Sequence, residues 1–234
     1  EFEGKFMEFI PGPLGLPTVR DFDILLYCTS WLGNAVMQER HDDVANFLEF
    51  EVDDFYKFSG RARGDERDNA FVQALDRLST SFITTNTKPL NHNPARKSVP
   101  YIPEYKLTRD DSGKIKTVWL RIQVRLCGLM RGNYKIVYDK SFFELSPVRR
   151  AIYMFVSLYC SQYEEDLTVT FAKLHQAVGA TSPLRKFIAV IEELQEKPLP
   201  SFTSSINSSD ETITFKSTRA RGPAYGYARL GVNR

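Results

Sequence analysis

The side chains that could carry out a reaction are few and scattered. Three histidines, His41, His92 and His175, stand far apart, and none is paired at metal-ligand spacing. A metal-assisted strand nickase would need histidines clustered beside a nucleophilic tyrosine; the tyrosines are plentiful, but that cluster is missing. No GxxxxGK[ST] loop is present to cradle a nucleoside triphosphate, which argues against ATP-driven strand opening. Acidic residues come as adjacent pairs, Asp42–Asp43, Asp53–Asp54, Asp110–Asp111 and Glu164–Glu165. Neighbours on a helix or strand do not converge on one point, so these read as caps and solvated loops. Cys28, Cys127 and Cys160 form no CxxC pair and lie in apolar contexts, which fits reduced core thiols. No catalysis, metal or cofactor is expected.

Binding chemistry is better represented. Arg185 and Lys186, with Ser182 just ahead, open an amphipathic segment at the place where a recognition helix meets base edges or phosphates. The later exposed positions of that segment, Glu192, Glu193 and Glu196, would repel phosphate, so only its first turn and a half suits DNA. Arg63, Asn69, Gln73 and Arg77 offer cations and amides on the polar side of an earlier helix. Amides bond adenine and arginine bonds guanine in bidentate fashion. Arg121 and Arg125 alternate along a strand with Lys114 and Lys116 at its base, a pattern suited to phosphates beside a wing. Arg219 and Arg221 begin a basic, glycine-rich tail, TRARGPAYGYARLGVNR, that could hug a DNA backbone. Each group alone also fits an ordinary solvated face; only their agreement points to duplex DNA.

These side chains need elements to position them. SFFELSPVRRAIYMFVSLYC predicts a helix from Ser146-Pro147 to about Ser161, burying Ile152, Phe155, Val156 and Tyr159. Leu167–Thr170 follows as a strand, and Phe171–Val178 as a short helix closed by Gly179. Thr181-Ser182-Pro183 should cap a helix burying Leu184, Phe187, Ile188, Ile191 and Leu194. SFTSSI, NSSD and ETITFKS then make a hairpin. The order is that of a winged helix.

The front of the chain repeats the plan. Thr18 and Asp21 suggest a capping box ahead of a helix with Phe22, Leu25, Leu26, Thr29 and Leu32 on one face. Phe47–Val52 alternates as a strand, and DDFYKF forms a short helix ending at Gly60. Residues 65–79 form a helix burying Phe71, Ala74, Leu75 and Leu78. Phe82–Thr85 reads as a strand, Asn86–Pro103 as a long loop, and 104–126 as a hairpin turning at DDSG. The expected class is α+β, two tandem winged-helix (helix-turn-helix) domains. The first spans 17–126 with a long wing and the second 140–217, joined near 127–140; 218–234 is a flexible basic tail.

Composition agrees with two packed cores: 42% of 234 residues are hydrophobic and 13% aromatic, too many for wholesale disorder. No apolar run approaches the roughly 20 residues of a membrane span. Glu1 rather than methionine opens the chain and no signal-peptide pattern follows, so a trimmed chain or fragment, soluble and cytoplasmic, is expected. The net charge of +2 divides into −8 over residues 1–60, +7 over 61–131 and +3 over 132–234. An acidic front and a basic middle suit a protein that holds a polyanion on one side.

Three stretches, PTVRDFDILLY, ALDRL with the strand and TN after it, and FFELSPVRRAIY, resemble the replication initiator protein A family of bacterial plasmids. The similarity runs from about Pro17 to Phe202; it fails at 86–118 and beyond Phe202. The resemblance implies tandem winged helices binding double-stranded repeats at a plasmid origin and recruiting host replication proteins, with a homodimer as one state. Arg149 and Arg150 fit its pattern and read as helix-surface residues within reach of phosphate. A tandem winged-helix repressor, or a protein-interaction module of the same fold, remain as alternatives.

Overall fold

A computed structural model describes residues 7–37, 46–85, 98–123, 138–163 and 166–218. The chain divides into two compact units, one built from residues 1–134 and the other from 135–228.

The first unit starts with a strand the sequence did not announce, β1 (Met7–Ile10). It pairs antiparallel with β3 (Phe82–Thr85), which also pairs with β4 (Val99–Pro100), so part of the expected long loop is sheet. The turn after β1 is pressed onto the end of α3 (Asp65–Thr80): a Cβ on Gly12 would lie 2.1 Å from Thr80 Oγ1. Ser81 Oγ ties that turn down, accepting from Gly12 N–H at 3.2 Å and donating to the Gly15 carbonyl at 3.1 Å.

Helix α1 (Phe22–Met37) is preceded by the expected bond, Thr18 N–H donating to Asp21 Oδ2 at 2.7 Å. Its buried face is rotated from the expected one. Leu25 and Leu32 are buried as expected, but Ile24, Tyr27 and Cys28 are buried beside them, while Phe22, Leu26 and Thr29 are only partly covered. The rotation follows from Tyr27, whose ring packs against Phe50, Phe55 and Phe58 at the centre of the core. Strand β2 (Phe47–Glu51) runs into α2 (Val52–Ser59), which Gly60 ends at φ 67°, the left-handed conformation that favours glycine. Helix α3 buries Phe71, Ala74, Leu75 and Leu78 as its spacing requires. The hairpin β5 (Glu104–Arg109) and β6 (Ile115–Arg121) turns on Asp110, whose Oδ1 accepts from the N–H groups of Ser112 and Lys114. The Ser112 hydroxyl, donating to the same oxygen at 2.7 Å, does most to hold the carboxyl below the usual carboxylate range, and the two backbone bonds add to it. The second sheet has the order β2-β6-β5.

The second unit opens with a 3-10 turn, Lys140–Glu144, leading into α4 (Pro147–Tyr163). Here too the inward face differs by a residue: Ile152, Tyr153 and Val156 are buried, Phe155 and Tyr159 only partly. The Tyr153 hydroxyl accepts from Asp139 N–H at 2.8 Å and the ring meets Phe142 and Phe202, so the aromatic cluster sets the helix's rotation. Then come β7 (Leu167–Thr170), α5 (Phe171–Ala177), α6 (Leu184–Glu196), β8 (Phe202–Asn207) and β9 (Thr212–Ser217), with sheet order β7-β9-β8. Phe187, Ile191 and Leu194 of α6 are buried, but Leu184 is 39% exposed and Ile188 only partly covered.

Both units therefore share one layout: helix, strand, helix, helix, hairpin. In each, the final strand is inserted between the strand that follows the first helix and its own hairpin partner, and the first unit adds the sheet β1-β3-β4.

Candidate nucleic-acid interface

Helix α6 is held in place at its start. Thr181 and Ser182 do not cap it by side chain; Pro183 occupies the N-cap with no side-chain bond. Instead the Ser182 carbonyl accepts from His175 Nε2 at 2.7 Å, and the His175 ring packs edge-on against Phe187. That fixes the turn between α5 and α6, and with it the direction of the first turn of α6. Arg185 and Lys186 are exposed there, and among the described residues neither is held in an ion pair.

The charges on α6 run against its own dipole. The first turn carries Arg185 and Lys186 and no acid; the last two turns carry exposed Glu192, Glu193 and Glu196 and no base. Cations at a helix N-terminus and anions at its C-terminus each cost about 0.3–1 kcal/mol relative to the reverse. Helix stability does not explain the pattern.

Helix α3 of the first unit is the opposite case. Asp65, Glu66 and Asp68 lie in its first turn and Arg77 in its last, in accord with the dipole. Asn69 and Gln73 are exposed on its outer face as expected. Arg63 and Arg77 depart from the expectation of open cations. Arg77 donates through Nε and a terminal nitrogen to both oxygens of Asp21, at 2.7 and 2.9 Å. Its side chain is only 17% exposed, and Asp21 makes the guanidinium hold its proton more tightly than usual. Arg63 bonds Asp68 at 2.9 Å, Asp53 at 2.7 Å and the Ile115 carbonyl. Arg61 pairs with fully buried Asp23. Arg121 is half-exposed at the end of β6 and meets Glu104 at 3.2 Å. Arg125, Arg219 and Arg221 lie outside the described residues.

Sequence reasoning missed these bonds, although the motifs that carry the resemblance contain them. Asp21 and Asp23 of the first motif hold Arg77, from ALDRL, and Arg61. Asp76 of ALDRL accepts from the Tyr105 hydroxyl at 2.6 Å. In FFELSPVRRAIY, Arg150 is not a surface residue but 2% exposed. It donates to the carbonyls of Leu145, at 3.0 Å, and Phe143, and its guanidinium lies 5.0 Å from the Phe142 ring centre. Arg149 reaches the Lys197 carbonyl. All three motifs are ties between distant segments, and their physical role is architectural.

Among the described residues no group of His, Cys, Asp or Glu could hold a metal ion, and no helix is long and apolar enough to cross a membrane.

The fold is a mixed α/β one of helices with small three-stranded sheets. It is similar to crystal structures of domains 2 and 3 of RctB. For one, the TM-score is 0.63 at 11% identity, covering 91% of this chain and 86% of that one. For a second, it is 0.53 at 12% identity, covering 90% and 85%. At such identities the likeness speaks for the fold alone. No curated protein sequence matches this one. Residues 1–203 match the replication initiator protein A family, and the chain belongs to that family.

Proposed function

We propose that this chain is a plasmid replication initiator that binds double-stranded repeats at an origin through two winged helices and catalyses no reaction. The observation that carries the reading is the inverted charge of α6, with Arg185 and Lys186 exposed on a pinned first turn. The layout common to both units supports it, since helix–strand–helix–helix–hairpin with a central last strand is the winged-helix arrangement. The two domains extend over 17–126 and 140–217. Helix α6 enters the major groove by its first turn and a half. The first unit adds Asn69 and Gln73, and phosphate contacts from Arg121 and the β5–β6 hairpin. Arg125, Arg219 and Arg221 complete the cationic set, and recruitment of host replication proteins and a homodimeric state belong to the same reading.

Gel shifts with repeat-bearing and random duplexes at graded salt test it. With roughly 6–10 phosphates engaged, affinity falls by about 10³–10⁵-fold between 50 and 200 mM salt. A flat salt response ends the reading. Arg185→Ala costs about 1–3 kcal/mol of affinity and relaxes preference at one base pair if it reads a base. One observation favours a second reading: the acidic second half of α6 suits a basic protein partner, and this would leave random and repeat DNA equally unbound.

A further inference from the structure

The second half of α6 forms one wall of a groove of about 780 Å³, within the range of ligand-binding clefts. The β8–β9 turn forms the other. Glu192, Glu193 and Glu196 line the helix side and Glu211 the turn side, and among the described residues no cation lines the groove. Phe171, Ile188 and Ile206 give it apolar surface. Two placements concentrate the negative charge at some expense to the fold. The α6 glutamates stand toward the negative end of the helix dipole. Glu211 holds φ at 50°, in the left-handed region that favours glycine. Its carbonyl accepts from Phe171 N–H at 2.9 Å, which fixes the turn against the start of α5. A duplex phosphate is repelled here, and no group of the described residues could hold a metal ion. Cationic side chains with apolar neighbours fit both the charge and the apolar surface. From Ile188 to Glu196 the helix wall runs about 12 Å, a length that an extended chain covers in about four residues.

We infer that this groove docks a short basic segment of a partner protein. Its arginines or lysines pair with Glu192, Glu193, Glu196 and Glu211, and its apolar side chains lie against Phe171, Ile188 and Ile206. Such docking deepens the second reading above by giving the basic partner a chemistry and a seat, and it needs no duplex. Arg185 and Lys186 stay exposed at the other end of α6.

Fluorescence anisotropy on the full chain tests it, with a labelled peptide of about five residues that alternates arginine and leucine. The peptide binds at low salt, and Glu192→Gln/Glu193→Gln/Glu196→Gln weakens it about tenfold through the loss of three exposed ion pairs. A control variant, Glu49→Gln/Glu51→Gln/Glu66→Gln, removes three exposed glutamates of the first unit and changes affinity by less than about twofold. Serine in place of leucine in the peptide costs about tenfold, since nothing then covers the apolar surface. Thermal melting separates lost docking from lost folding: neutralising carboxylates toward a helix C-terminus leaves the Tm unchanged or raises it. Equal affinity of the wild type and the groove variant, or of the two peptides, overturns the inference. The outcomes stay distinct from those of the wider readings. A chain that binds the peptide but ignores the groove substitutions keeps a basic partner and loses this seat. One that binds repeat duplex and no peptide keeps the DNA reading alone.

Discussion

Replacing Arg77 by alanine separates two roles that its type and spacing leave open. As a DNA contact, Arg77 would contribute affinity and little stability; as the structure places it, the reverse holds. The side chain is 17% exposed and its partner Asp21 6%, with two bonds of 2.7 and 2.9 Å between them. Removing one member of a mostly buried pair strands the other's charge, at a cost of about 3–5 kcal/mol. For the 134-residue first unit, an unfolding entropy of about 2.1 cal/mol/K per residue turns 3 kcal/mol into a Tm decrease of about 10 °C. Calorimetry on wild type and variant measures this directly. The double variant Asp21→Leu/Arg77→Met should recover much of the loss, since an apolar pair of similar volume is often nearly neutral. Recovery stays incomplete, because Asp21 also accepts the Thr18 N–H. Duplex affinity measured well below the new Tm should change little. A variant that keeps its Tm within about 2 °C but binds duplex tenfold more weakly refutes the reasoning.

Arg150→Ala should behave alike in the second unit. It leaves the Phe143 and Leu145 carbonyls without their donor and costs about 2–4 kcal/mol by denaturant unfolding, with an unaltered salt slope of DNA binding. Gly12→Ala drives a methyl group against Thr80 and the helix backbone behind it, and should destabilise the first unit by about 1–3 kcal/mol in thermal melts. Alkali should also weaken the fold. Burial raises Tyr101 to about 12, and burial with the Asp76 bond raises Tyr105 to about 12; burial likewise raises Tyr138 to about 12. A folded-state pKa above the unfolded value of about 10 favours the fold below pH 10, and that contribution is lost as pH climbs from 10 to 12. Melting temperatures across this range should fall, less steeply in Tyr105→Phe.

How far the sequence disclosed all this depended on the kind of signal. Helix α3 and the hairpins were legible because their apolar residues repeat at the period of their elements, and Asp110–Gly113 and Asn207–Asp210 carry turn chemistry. The faces of α1 and α4 were legible in part, with Leu25, Leu32, Ile152 and Val156 buried as expected, but large aromatics, Tyr27 and Tyr153, take the centre of each core and displace Leu26 and Phe155 from it. β1 is four residues long and carries too little pattern to be seen. The polar pairs were invisible for a simpler reason. Arg77 and Asp21 are 56 positions apart, and nothing in linear spacing reveals that a cation will find its carboxylate across a fold. Arg185 and Lys186 stood out because they open an amphipathic segment, where a recognition helix meets DNA.

The placement of each closing strand also governs how the protein can be made and shortened. β9 follows β7 and β8 in the chain yet bridges them, so neither has its sheet partner until β9 has been made. A stop codon after Thr218 spares every rung of that sheet. One seven residues earlier, at Glu211, removes the bridge and leaves two unsatisfied edges, which makes such a product a candidate for aggregation rather than a smaller working domain.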